Sequence, residues 1–159
     1  MSCLPEQYKI INVAQTAAAN AVTYDVVNCK DALKVWFVIT HIGAADTDLT
    51  LSLIEAQDVA ATTNTTAVTA TFPIWADSCG TASDTLVRQT DAASYIVNTT
   101  AAGDRDQLVV IEWDPAKFSS GYDCIQLADA GGNASNNVTA TAIIEYRYGQ
   151  ASLPTAIVD

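Results

Sequence analysis

Residues 34–53 read KVWFVITHIGAADTDLTLSL, and their alternation decides the fold. From Lys34 to Ile42 β-branched and aromatic residues dominate. Such side chains fit a pleated, half-buried surface better than a helix. Successive side chains of a strand point to opposite faces. Val35, Phe37 and Ile39 therefore share one face, and Trp36 and Val38 the other. Both sets are apolar, which predicts a central strand covered on both sides. Leu49, Leu51 and Leu53 then alternate with Thr50 and Ser52, the pattern of a strand with one wet face. The link Gly43-Ala44-Ala45-Asp46 has turn length and predicts a hairpin between the two runs.

Period-two patterning continues outward in both directions. Tyr8–Val13 and Val22–Val27 read as strands, separated by the small-residue link 16–21. Val68–Trp75 contains Pro73, which cannot donate to a ladder and so predicts an edge or a bulge. Short strands are expected at Thr85–Gln89 and Ser94–Val97. Gln107–Trp113 is a strong strand stopped by Asp114-Pro115, with one helical turn expected after it. Tyr122–Leu127 resumes extended chain, and the Gly- and Asn-rich segment 129–136 reads as a flexible loop tip. In the last strand, 138–148, Val138, Ala140, Ala142 and Ile144 share a face. About eight to ten short strands with no long helix predict an all-β, jelly-roll-like antiparallel β-sandwich. The expected plan is an arm over 1–7, one sandwich over 8–150 and a tail over 151–159.

Charge narrows the function. Seven basic residues stand against eighteen acidic ones, for a net charge of -11. A phosphate backbone is repelled by such a field, and the scattered cations build no basic patch, so nucleic acid is not an expected partner. The N-terminal residues lack a basic segment followed by an apolar one, and no apolar run approaches a membrane span of ~20 residues. A soluble product made in a cytoplasm is expected.

Little in the chain looks like an active site, and no enzyme activity is expected. The one histidine, His41, ends an apolar strand, and no Gly-x-Ser-x-Gly elbow accompanies it. The carboxylate pairs Asp46/Asp48 and Asp104/Asp106 fall in turn-like segments, where Asp is favoured for local hydrogen bonding. No cofactor or metal is expected, since no phosphate-cradling loop or clustered ligand set is present. Asn-x-Ser/Thr triplets begin at Asn64, Asn98, Asn133 and Asn137; with Asn and Thr so abundant, chance explains them. Trp36, Trp75 and Trp113, with Tyr146 and Tyr148, are either core or a sugar-binding platform. The four cysteines, Cys3, Cys29, Cys79 and Cys124, are widely spaced. They are candidate disulfide residues, within or between subunits, or free thiols in a cytoplasmic product.

The order of features resembles small all-β proteins that tailed bacteriophages encode near their capsid genes. The resemblance lies in Tyr24-Asp25-Val26-Val27-Asn28, Asp31-Ala32 and Lys34-Val35-Trp36-Phe37-Val38. It continues in Val110-Ile111-Glu112-Trp113-Asp114 and in Leu153-Pro154-Thr155-Ala156-Ile157. These are loose strand patterns spread over most of residues 8–158. The resemblance implies a capsid auxiliary (cement or decoration) protein, a homotrimer on the outer capsid surface of the virion, with the major capsid protein as partner. The cysteines depart from that pattern. Leu4 and Pro5 in the arm, and Leu153, Pro154 and Ile157 in the tail, are the candidate subunit and capsid contacts, because each end is apolar and flanked by proline. The alternative function is a β-sandwich binding module, carbohydrate-binding or adhesin-like, on a tail or a cell surface.

Overall fold

The computed structural model describes residues 4–61, 64–79, 85–99, 106–147 and 157. Among these residues one turn of helix, Leu4–Gln7, leads into eleven strands: β1 (Tyr8–Ala18), β2 (Val26–Asn28), β3 (Ala32–Ile42), β4 (Leu49–Ala56), β5 (Thr65–Ala67), β6 (Ile74–Ser78), β7 (Val87–Arg88), β8 (Ser94–Val97), β9 (Gln107–Trp113), β10 (Cys124–Gly131) and β11 (Asn137–Tyr146). They form two antiparallel sheets packed face to face, one ordered β1-β11-β3-β9-β6-β7 and the other β2-β10-β4-β5. β8 shares the far edge of β4 with β5.

The chain changes sheet at each step from β1 to β4, and again from β9 to β11. Strands β1, β11, β3 and β9 thus face β2, β10, β4 and β5, the double Greek key of a jelly roll. The hairpin β6–β7 widens the first sheet beyond β9.

Between the sheets lies one core. β3 contributes Val35, Phe37 and Ile39; β4 contributes Leu49, Leu51 and Leu53; β9 contributes Val109, Ile111 and Trp113; β11 contributes Val138, Ala140, Ala142 and Ile144. All are essentially buried. Truncating one of these leucines to alanine costs about 2–5 kcal/mol, since the emptied space collapses only in part.

Three expectations change. The run 34–53 is not a hairpin: β3 pairs with β11 and β9, while β4 pairs with β10, β5 and β8 in the opposite sheet. The link 43–48 is a corner between sheets, and buried Asn136 holds it. Its Oδ1 accepts from the amides of Ala44 (2.9 Å) and Ala45 (2.7 Å), and its Nδ2 donates to the carbonyl of Ala45. Secondly, β3 is central, but only its inner face is covered; Trp36 and Val38 stay half-buried. Thirdly, β1 runs straight through the small-residue link to Ala18, with irregular pairing to β11 between Asn12 and Ala17.

Smaller departures have local causes. Pro73 precedes a strand rather than interrupting one: its carbonyl accepts from Glu112, and β6 starts at Ile74. β10 continues to Gly131, so only 132–136 remain of the expected loop tip. The stop after Trp113 is as expected. Asp114 caps a 3-10 turn at Pro115–Lys117, its side chain accepting from the Ala116 amide at 2.9 Å.

Candidate functional site

The outer face of the six-stranded sheet carries apolar side chains that the core does not use. Register places them in rows. Ile10, Ile143, Trp36 and Glu112 lie side by side across β1, β11, β3 and β9. The next row is Asn12, Thr141, Val38, Val110, Trp75 and Arg88. Leu108 and Asp77 follow in the row beyond. The result is an apolar band across the sheet, with Ile10 41% exposed and Trp36, Val38, Val110 and Trp75 half-buried. A groove of about 310 Å³ runs along it, lined by Trp36, Trp75, Leu86, Val110 and Glu112.

The polar groups around the two indoles are already engaged. The Trp36 indole N–H donates to Glu112 Oε2 at 2.9 Å, and Lys34 forms an ion pair with Oε1 of the same carboxylate. Lys34 is held protonated to higher pH than usual, mainly by that hydrogen bond. The Arg88 guanidinium lies over the Trp75 ring, 4.7 Å from its centroid, and pairs with Asp91. Tyr8 meets Trp36 edge-on at 6.1 Å. These contacts fix the indoles in place, as befits a rigid surface rather than a reacting centre.

Trp113 behaves differently from its two counterparts. It faces inward on β9, is fully buried and packs edge-on against Phe118 at 5.4 Å. The three tryptophans therefore do not form one platform: two belong to the outer face and one to the core.

A second concavity, about 480 Å³, lies along the irregular part of β1 and the segment before β2. Asn12, Gln15, Thr16, Thr23 and Asp25 supply its side-chain hydrogen-bonding groups, with neither histidine nor cysteine in its lining. Among the described residues no group of three or more His, Cys, Asp or Glu side chains is placed to hold a metal ion. Among the described residues no helix is long and apolar enough to cross a membrane.

The other sequence candidates have structural duties. His41 is buried where β3 lies between β11 and β9, opposite Val138 and Gln107. Asp48 accepts from the Thr99 amide at 2.8 Å, and Asp106 from the Gly43 amide at 2.9 Å. Both carboxylates tie loops together. Asp104 lies outside the described residues.

Of the alternatives for the cysteines, a bridge within the chain is excluded among the three described ones. Cys29, Cys79 and Cys124 are free thiols, and no two lie within bonding distance. Cys29 packs into the main core, whereas Cys124 joins Val26 and Ala56 in a separate cluster. Their side chains leave opposite faces of the β2–β10 ladder, in which Cys124 lies opposite Asn28, so their Cβ vectors diverge and no bridge closes. Burial pushes the Cys29 thiol far up; burial and the Asp123 side chain push Cys124 up to about 12. Neither is a ready nucleophile. Cys79 is exposed, and Cys3 lies outside the described residues.

Of the expected terminal contacts, Leu4 and Pro5 sit exposed on the first helical turn, and Ile157 is half-buried. Leu153 and Pro154 lie outside the described residues. The outer-face band was not anticipated as a surface. Its signal was present in the second apolar face of β3, which reads the same whether it is covered by its own chain or by another.

A scan against protein-family models, a search of curated proteins and a search of solved structures each find no match to this chain.

Proposed function

We propose that this chain is a structural virion protein, a capsid cement or decoration protein that binds the major capsid protein on the outside of a phage head. The observation that carries the reading is the apolar band on the outer sheet face. Its indoles are held rigidly, and the carboxylate and cations beside them are paired internally, as suits a surface that meets another protein. The jelly-roll strand order supports it by analogy, since this architecture recurs in viral capsid domains. It recurs in lectin domains as well, so the face discriminates and the strand order does not. Assembly as a homotrimer, through the arm and the tail, belongs to the same proposal, as does synthesis in the host cytoplasm.

The carbohydrate-binding reading draws on Trp36 and Trp75, both beside the groove. Sugars stack on open indole faces and bond to free polar groups. Here Arg88 covers one face of Trp75, and both Glu112 oxygens are occupied. The groove is therefore poorer in sugar-recognising groups than its two indoles suggest. Imaging of purified particles of the virus that encodes the chain tests both readings. Density for the chain on the shell exterior is expected; its absence from the head would refute the capsid function. Retardation in glycan affinity gels, abolished by Trp75→Ala, would favour the sugar reading instead.

A further inference from the structure

We infer that the outer face of the six-stranded sheet is the capsid-facing surface, and that it fits a protein patch that is apolar at its centre and bordered by lysine and arginine. The inference rests on the proposed capsid function and adds to it the face and the chemistry of the partner.

The apolar centre is the band of Ile10, Ile143, Trp36, Val38, Val110 and Trp75. Its borders are acidic. Glu145 and Asp114 stand beside Lys34 at one end, and Asp77 lies beyond Leu108 at the other. Two cations on the face are already paired: Lys34 with Glu112, and Arg88 with Asp91 and the Trp75 ring. Glu145, Asp114 and Asp77 thus give the border an acidic character, in a chain whose net charge is -11.

Charge chooses among occupants. A second copy docked face to face by a two-fold axis would set this acidic border against itself. Like charges brought together at a rim oppose association, and a neutral glycan leaves the border unused. A basic-bordered protein surface satisfies border and centre at once. It would also be drawn to the face over a distance, with an association rate that falls as salt rises.

Two variants and one footprint test this. Ile10→Asp places a charge in the apolar centre, on an edge strand where the side chain is 41% exposed. Asp77→Lys reverses a border charge. Circular dichroism and thermal unfolding establish that each variant folds. Binding is then measured to virus heads freed of the chain. Each variant is expected to bind about tenfold or more weaker than wild type, and Asp77→Lys is expected to show a flatter salt dependence. Hydroxyl-radical footprinting of bound wild type should protect Trp36 and Trp75, whether or not a variant folds.

If wild type binds and both variants match it, or the two indoles stay unprotected, the face is wrong while the function stands. If wild type does not bind the heads, the function falls and this inference with it. A self-association of wild type in sedimentation that Ile10→Asp abolishes would assign the face to a second copy and overturn the inference.

Discussion

Trp36 and Glu112 lie directly opposite each other on β3 and β9, and the indole N–H donates to the carboxylate at 2.9 Å. Lys34 holds the other oxygen. A tryptophan, a carboxylate and an ammonium thus form one unit on an otherwise apolar surface. The indole N–H and both carboxylate oxygens of the unit are thereby engaged.

Removing its hub should show what it contributes. Glu112→Ala leaves the Trp36 N–H and Lys34 without their acceptor, but both border solvent, so water substitutes in part. A loss of about 1–2 kcal/mol is expected in urea unfolding, and less for Glu112→Gln, which keeps one acceptor for the indole. The Lys34 contribution also has a pH signature. Its pKa is raised above 10.5 in the folded state, so the pair's stabilisation is full below that value and declines as pH rises through the folded pKa. The difference between wild type and Lys34→Met should shrink accordingly above pH 10.5.

Gly132 is the least replaceable residue of the β10–β11 connection. Its φ is +80°, and a Cβ there would sit 2.5 Å from the Ala19 carbonyl oxygen and 3.0 Å from Leu49 Cδ1. Its amide donates to the Asp48 carbonyl at 3.0 Å, so the backbone cannot simply retreat. Gly132→Ala combines left-handed strain with a backbone clash, and a loss of about 3 kcal/mol is expected. A lowered urea midpoint with an unchanged slope is the measurement; an unchanged midpoint would mean that the turn relaxes freely.

What could be read in advance followed from period two. The inward sets of β3, β4 and β11 come directly from alternation, and the stop at Asp114-Pro115 from proline's missing donor. What alternation cannot specify is which sheet a strand joins. A link such as 43–48 has the length of a hairpin, yet Asn136, about ninety positions away in sequence, turns it into a corner. The same limit hid the band on the outer face. Trp36 and Val38 are apolar in either case, and nothing local to β3 tells a covered face from one left open. Trp75 and Trp113 were alike in sequence context but fell on opposite sides of the sheet, because each is placed by the parity of its own strand.

The three described thiols should separate by rate. Cys79 is exposed, while Cys29 and Cys124 are each 2% exposed. In a Cys3→Ser background, a maleimide should label Cys79 within the mixing time of an ordinary assay. Cys29 and Cys124 should wait for opening of the β2–β10 ladder. Mass spectrometry of timed samples gives the order. Simultaneous labelling of Cys79 and Cys124 would show that the Val26–Ala56–Cys124 cluster does not shield its thiol.

Asp129 gives a prediction in which losing a charge is beneficial. Its carboxylate accepts from the Tyr24 hydroxyl at 3.2 Å. Burial raises its pKa above 3.8, and the hydrogen bond from Tyr24 offsets this only in part. A carboxyl whose folded pKa is raised binds its proton more tightly when folded, so its contribution favours folding below 3.8 and is lost as pH rises through the folded value. Near neutrality the ionised side chain is therefore a net cost. Asp129→Asn keeps an acceptor for Tyr24 without the charge. The variant should be more stable than wild type near neutral pH, with the advantage fading as pH falls to 3.8 and below. Thermal midpoints of the two proteins across this range decide the matter. A variant less stable at neutral pH would mean that the Tyr24–Asp129 bond outweighs the desolvation of the carboxylate.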